Sequence, residues 1–520
     1  MQSLLLLAAL AAVDRYGHFE QSFTAARDYD NPLAQEFRVR FTGPGGAGGE
    51  ARAFWDGGRT WKVRFMPDRA GPWSYRVACE AASDAGLCGR SGSFRVNGYR
   101  GANPLYRHGP LRLSKNRRYL EYGDGTPWFW LADTAWNGAL LSTPREWTRY
   151  VARRAAQRFT AIQFVTTQWR AGRQDERGQA AFTGRERIAV NPAFYQRLDT
   201  KFDELNAQGL VALPVLLWAL TSKDNESPGA ALPEDQAILL SRYMVARYGA
   251  HHVVWILGGD GNYRGERAAR WKTIGRAVFG GEPHAPVTMH PGGMQDPWPE
   301  FKDEPWLDIL MYQSGHGADE KKWRWNATQG PAAGWKLEPP RPVIDGEINY
   351  EGHLNYQFRQ RISDYDVRRA AYYSLLSAPP AGVTYGAHGV WPWLRERGVP
   401  LDHPRTGEGE PWFQSIEYPG ARQMKVLREV FESLEWWKLR PDRTLLAADP
   451  DDIRAYAMPA RADRFALIYF PTGPLARVNT QGFSRAVWID PRTGARHRAS
   501  IAREMRMPDE GDWLLLLQKR

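Results

Sequence analysis

The sequence predicts a multidomain protein: a central (β/α)8 TIM barrel flanked by an N-terminal and a C-terminal β-sandwich. Three observations lead there. Eight short apolar runs follow one another from about residue 128, most of them separated by segments of helical character. On either side, short stretches alternate apolar and polar residues between Gly and Pro clusters, as sandwich strands do. Two of the eight runs end in glycine and then a carboxylate, at Asp260 and Glu347. The C-terminal end of a barrel strand is where such enzymes carry their chemistry.

At 520 residues the chain has room for two to four domains. Residues 1–13 read as the remnant of an export signal. Leu4–Leu10 is apolar and Ala8–Ala12 is rich in small residues, although no basic residue precedes them. The run is too short to span a bilayer, so no stable membrane insertion is expected. Residues 14–103 form the first sandwich, through Phe37–Phe41, Trp61–Phe65, Trp73–Val77 and Ser93–Val96. Cys79 and Cys88 are the only cysteines, and they are open either to a disulfide or to two reduced thiols. Together with the apolar start they point to a secreted or periplasmic protein. Gly43–Gly49 is glycine-rich but lacks the Lys-Ser/Thr of a phosphate loop, which argues against nucleotide binding.

The barrel occupies 104–437. Its strands are expected at Trp128–Ala132, Ala161–Thr166, Val211–Trp218, Val253–Leu257, Pro286–His290, Leu307–Tyr312, Pro342–Asp345 and Gly382–Tyr385. Helices are expected from Pro144, and over Phe194–Gln208, Pro233–Tyr248, Gly265–Phe279 and Ser363–Ser377, with Pro near their starts and Gly or Pro past their ends. The helical pattern is faintest before Leu307 and Pro342, where Trp323–Gly330 also reads as loop. Residues 438–520 form the last sandwich, with strands at Ile453–Met458, Phe465–Phe470, Ala486–Ile489 and Trp513–Leu517.

Composition narrows the function. Lys and Arg number 69 against 58 Asp and Glu, a net charge of +11, but the basic residues are dispersed and no block suggests nucleic acid. The chain holds 23 Trp, about three times ordinary usage. Trp136, Trp169, Trp218, Trp298, Trp391 and Trp393 fall at expected strand ends, where indole faces stack on sugar rings; alternatively they fill the core. Two carboxylates in one sugar cleft are the equipment for glycosidic bond hydrolysis. Other chemistries lack their motifs. There is no His-Glu-x-x-His, His251-His252 has no partner Glu, and Gln313-Ser-Gly-His316 is not Gly-x-Ser-x-Gly. No metal and no cofactor is expected. A non-catalytic carbohydrate-binding protein is the alternative from another class.

The barrel resembles the apiosidase-like glycoside hydrolases, glycoside hydrolase family 140 and relatives. The matching stretches are Trp128-Phe-Trp-Leu-Ala-Asp-Thr-Ala-Trp136, Trp255-Ile-Leu-Gly-Gly-Asp260, Met289-His-Pro-Gly-Gly293, Glu304-Pro-Trp-Leu-Asp308 with Gln313-Ser-Gly-His316, Asp345-Gly-Glu-Ile-Asn-Tyr-Glu351, and Val367-Arg-Arg-Ala-Ala-Tyr372 with Tyr385-Gly-Ala-His388. Trp61–Pro67 and Gly71–Tyr75 resemble the small β-sandwich that precedes this barrel, and Trp436–Pro441 with Tyr469–Gly473 a β-domain labelled collagen-binding in relatives. The resemblance implies Asp260 as acid/base and Glu347 as nucleophile of a retaining mechanism, with Asp345 a rival two residues from Glu347. It implies a polysaccharide or oligosaccharide substrate, probed by apiose-type furanosides first, with arabinofuranosides and endo-acting hydrolysis as alternatives. Asp133, His290, Gln313, His316, Tyr385 and His388 are expected either to hold sugar hydroxyls or to brace the carboxylates, and Trp136, Trp169, Trp218 and Trp391 to line the cleft. Trp255 or a neighbouring carboxylate is expected to raise the pKa of Asp260.

Overall fold

A computed structural model describes residues 12–79, 84–219, 224–379, 382–448 and 450–520. Most of the stretch read as an export signal therefore lies outside the described residues. Its last two residues do not: Ala12–Asp14 is a strand pairing parallel with Arg95–Asn97 at the edge of the first sandwich.

Eight strands form one all-parallel sheet: β1 Leu131–Thr134, β2 Ala161–Val165, β3 Val211–Trp218, β4 Trp255–Gly261, β5 Val287–Pro291, β6 Leu310–Gln313, β7 Val343–Glu347 and β8 Gly382–Gly386. β1 pairs with both β2 and β8, so the sheet curls round on itself. Closure between β5 and β6 runs through Val287, whose carbonyl accepts from the backbone N–H groups of Asp308 and Ile309 at 2.9 and 3.2 Å. This is a (β/α)8 barrel. The strands are buried on both faces, which is why they read as unbroken apolar runs rather than alternating ones.

The first strand starts later than expected. Pro127–Trp128 belongs instead to a small antiparallel sheet with Leu120–Tyr122 and Leu111–Leu113. Helices Pro144–Ala156 and Asp364–Ser377 open with reciprocal capping boxes, Thr143 with Glu146 and Ser363 with Asp366. Trp323–Gly330 is helical, in the pair Glu320–Thr328 and Gly330–Lys336. Asn326 donates to the Ala370 carbonyl and its Oδ1 lies 3.0 Å from Ser374 Oγ, so this insertion supplies the helical layer outside β6 and β7. Only a single turn, Trp298–Phe301, lies between β5 and β6.

The first sandwich packs a five-stranded sheet on a three-stranded one around Phe19, Phe41, Trp61, Trp73 and Phe94. Cys79 and Cys88 are joined by a disulfide. A buried ionic network ties this domain to the barrel. Arg64, on a sandwich strand, meets Asp199 at 2.6 Å; Arg247 reaches Asp199 at 2.7 Å and Asp56 at 2.8 Å.

In the last domain a six-stranded sheet lies between the barrel and a two-stranded antiparallel sheet, Leu475–Arg477 with Glu504–Arg506. Its strand Trp513–Gln518 turns Leu514 and Leu516 toward the barrel and Trp513, Leu515 and Leu517 toward its own core. Both faces are covered, so the strand shows no polar alternation. Arg368 on helix Asp364–Ser377 grips Asp512 through two hydrogen bonds of 2.9 and 2.7 Å. The expected strand Ile453–Met458 is displaced. Ile453–Ala455 is a helical turn whose Ile453 carbonyl accepts from Arg369 and Tyr373, and the strand runs Met458–Arg461.

Candidate active site

At the C-terminal ends of the strands lies a pocket of about 200 Å3. It is lined by Trp136, Trp169, Trp218, Asp260, Gly293, Gln313, Gly315, His316, Glu347, Tyr350, His353, Tyr356, Trp391, His403 and Thr406. Two carboxylates face it, and each is aimed by a local irregularity in its strand. On β7, Asp345 pairs with Tyr312 but Glu347 pairs with Gln313, so two residues advance on β7 for one on β6. This bulge at Gly346 breaks the two-residue alternation. Asp345 consequently points away from the pocket, where it accepts from Ser374 Oγ at 2.7 Å and from the Ser314 amide at 3.2 Å. Glu347 turns into the pocket. The glycine is required there, because a Cβ at 346 would come within 2.5 Å of Met311 Sδ and 3.2 Å of His290.

β4 carries similar register shifts before Asp260. A Cβ at Gly259 would meet the Trp218 ring at 2.6 Å, so the Gly-Gly-Asp motif reflects indole packing under the pocket floor. Asp260 itself has φ 47°, a left-handed conformation costly for a non-glycine residue. Such strain is retained where the position of one side chain matters.

The two carboxylates occupy opposite electrostatic environments. Glu347 Oε1 accepts from Gln313 Nε2 and, at 2.9 Å, from His316 Nε2. The tautomer of His316 follows from its other nitrogen: Nδ1 accepts from the Tyr350 amide at 3.3 Å, so the proton is on Nε2. Glu347 Oε2 lies 3.5 Å from His290 Nε2. Burial pushes the Glu347 pKa up, but the hydrogen bond and electrostatic pull of His316, the pull of His290 and the Tyr350 hydroxyl outweigh it and hold Glu347 below the usual range. Asp260 accepts no hydrogen bond among the described residues. Burial and then the charge of Glu347 drive its pKa well above the usual range, opposed by Arg170. Trp255 has no part in this; its ring sits in the helix layer near Phe279. A carboxyl kept protonated beside a carboxylate kept ionised is the division of labour that acid/base chemistry at a glycosidic bond needs.

Residues 114–438 match the sequence family described as apiosidase-like, catalytic domain. The chain belongs to this family. It is a glycoside hydrolase, and a carbohydrate is its substrate. Flanking residues 12–80 match a domain family of unknown function, DUF5060, and residues 440–518 a collagen-binding-like domain family. Three solved structures share the apiosidase-like chain's architecture, each with a TM-score of 0.71. One is a glycoside hydrolase, 22% identical over 81% of this chain and 99% of its own. Another, from Bacteroides vulgatus ATCC 8482, is described as a family 5 glycoside hydrolase and is 20% identical over 81% of this chain and 95% of its own. A second chain from that organism, provisionally a glycoside hydrolase, is 19% identical over 98% of this chain and 100% of its own. No curated protein matches the sequence significantly.

Trp136, Trp169, Trp218, Trp391, Gln313 and His316 line the pocket with the two carboxylates, as expected from the sequence. Their rings form a continuous wall: Trp169 and Trp218 lie 4.4 Å apart, Trp136 and Trp218 5.0 Å. Asp133, Tyr385, His388 and His290, expected either to hold sugar hydroxyls or to brace the carboxylates, lie behind this wall rather than in it. Asp133 is fully buried between β1 and helix Pro144–Ala156, accepting from Tyr150 Oη at 2.5 Å and Arg154 Nε at 2.7 Å. Tyr385 Oη donates to Glu351 at 2.6 Å, outside the pocket. His388 Nδ1 accepts from Trp391 Nε1 at 3.2 Å and steadies that indole. His290 lies beneath Glu347. Trp298 and Trp393 belong to the core, Trp393 stacked on Trp412.

Tyr350, His353, Tyr356, His403 and Thr406 line the pocket but were not singled out in the sequence. They come from the irregular loops after β7 and β8, which carry no periodicity. The aromatic and histidine content of Tyr350–Tyr356, immediately after Glu347, was the available signal. Among the described residues no helix is long and apolar enough to cross a membrane.

Proposed function

We propose that the protein is a retaining furanosidase acting on a complex glycan of plant type. Glu347 is its nucleophile and Asp260 its acid/base. The observation that carries this reading is the opposite displacement of the two pKa values within one aromatic pocket. Glu347 Oε1 is held by Gln313 and His316, which leaves Oε2 to attack the anomeric carbon. Asp260, protonated, gives its proton to the leaving oxygen. The same group then takes a proton from the water that releases the sugar. The indole wall supplies stacking faces for the ring, and the pocket's small volume suits one sugar unit at its floor. Furanoside preference, apiose first, follows from the family. The disulfide and the apolar start of the chain support a secreted or periplasmic location.

Sugar release from a panel of pectic and furanose-containing polysaccharides tests the reading, with wild type beside Asp260→Asn and Glu347→Gln. Release abolished in both variants, with the initial product retaining its anomeric configuration by NMR, is expected. Release surviving in either variant would mean that the wrong carboxylate has been chosen, and inversion would remove the covalent step. Release only from arabinofuranosides, or of internal fragments, would favour an arabinofuranosidase or an endo-acting enzyme. Tight binding without release would leave a carbohydrate-binding protein.

A further inference from the structure

Far from the pocket, where the first sandwich meets the underside of the barrel, three side chains from three separate elements converge. His18 immediately precedes the sandwich strand Phe19–Thr24, Asp203 sits on helix Pro192–Ala207, and His251 lies in the turn before β4. His251 Nε2 is 3.0 Å from Asp203 Oδ1, and His18 Nε2 is 3.8 Å from the same oxygen. The three ligand atoms lie within 4.8 Å of one another, and the two imidazoles face each other with centroids 4.4 Å apart.

We propose that this cluster is a structural zinc site that pins the sandwich to the barrel. The donor set fits: two imidazole nitrogens and a carboxylate oxygen suit zinc and are a poor match for calcium or magnesium, which prefer oxygen throughout. The spacing fits as well. Tetrahedral zinc with bonds of about 2.0–2.2 Å sets its ligand atoms about 3.3–3.5 Å apart. The two separations from Asp203 Oδ1, 3.0 and 3.8 Å, straddle that edge, and the two imidazole nitrogens lie within 4.8 Å of each other.

The contacts seen without an ion leave the cluster half satisfied. At 3.8 Å the His18–Asp203 pair is too long for a hydrogen bond. Asp203 makes ion pairs only with these two histidines among the described residues. A divalent ion between the three atoms would bring both imidazole nitrogens and the carboxylate oxygen into coordination. The side chains of His18 and Asp203 are 29% and 51% exposed, which leaves an entry path and room for water as a fourth ligand.

The site would be structural because it lies at the N-terminal ends of the strands, opposite the pocket. It joins elements that already touch through His252, whose Nε2 meets the Tyr16 carbonyl at 2.9 Å. Sequence spacing could not reveal it, since His251-His252 has no nearby ligand and His18 lies in another domain.

The test uses the full chain, stripped with chelator and dialysed. Zinc is titrated by calorimetry, bound metal is counted by elemental analysis, and melting is followed with and without zinc. The expected result is one zinc per chain and a melting temperature raised by several degrees. His18→Ala and Asp203→Asn should each weaken zinc binding at least about tenfold and abolish the melting shift. His18→Gln, which keeps the packing volume, guards against a variant that simply fails to fold. No zinc binding by wild type, or binding and melting shifts that persist in the His18 and Asp203 variants, would overturn the proposal.

Discussion

His316→Ala should move the acidic limb of the pH–rate profile upward. In the structure His316 Nε2–H donates to Glu347 Oε1 at 2.9 Å, and both side chains are buried. A hydrogen bond to a charged group is worth about 1.5–3 kcal/mol. At about 1.4 kcal/mol per pKa unit, its loss raises the Glu347 pKa by about one to two units. The sign is set by the direction of the shift. Glu347 is held below its ordinary range and, as the proposed nucleophile, must be ionised to attack, so wild type is expected to keep its activity down to acidic pH. Without His316 the carboxylate protonates sooner as pH falls, and kcat/KM declines from a higher pH. The assay is initial sugar release from whichever glycan wild type cleaves, measured from acidic to neutral pH. The basic limb, governed by Asp260, should stay nearly in place. His316→Gln, whose amide can still donate, should restore part of the shift. An unmoved acidic limb in His316→Ala would refute this account of how Glu347 is kept ionised, even if kcat fell at every pH.

Arg170→Leu should move the basic limb upward, because Arg170 opposes the rise in the Asp260 pKa; a profile unchanged above neutrality would count against that influence. Asp133→Asn should lower thermal stability while leaving KM unchanged in the folded enzyme, because Asp133 meets Arg154 and Tyr150 rather than the pocket; a selective KM increase would return it to sugar binding. Asp199→Ala should destabilise by up to about 3–5 kcal/mol, since it removes the carboxylate shared by the buried Arg64 and Arg247 and leaves them only Glu20 and Asp56, and denaturant unfolding reads this directly. Replacing Cys79 and Cys88 by Ser should cost about 2–3 kcal/mol through the reopened short loop, seen as earlier melting of the first sandwich.

Much of the architecture is local and therefore legible in sequence. Strands covered on both faces must be apolar throughout, and helices must carry caps at their ends. The runs at Val211–Trp218 and Val343–Glu347, and the caps at Thr143 and Ser363, show both rules at work. Where a segment's conformation depends on a distant partner, the pattern misleads. Ile453–Met458 is apolar enough for a strand, yet Arg369 and Tyr373 hold Ile453 in a turn. Leu111–Trp128 forms a separate small sheet, and the barrel starts after it.

Asp260 and Glu347 were visible from the chain alone because a carboxylate after glycine at a strand's end is a one-dimensional feature. What each carboxylate experiences is not. The bulge at Gly346 decides that Glu347, not Asp345, enters the pocket, and it exists only in the pairing of β7 with β6. The pKa displacement of Asp260 comes from burial and from the charge of Glu347, eighty-seven positions later in the chain. Whether a polar residue lines the pocket or sits behind its wall, as His316 and Asp133 respectively do, depends on which side of the strand layer it occupies. Periodicity specifies an element and its buried faces. Charge interactions and register are set by atoms brought together from distant parts of the chain, and only the tertiary structure decides them.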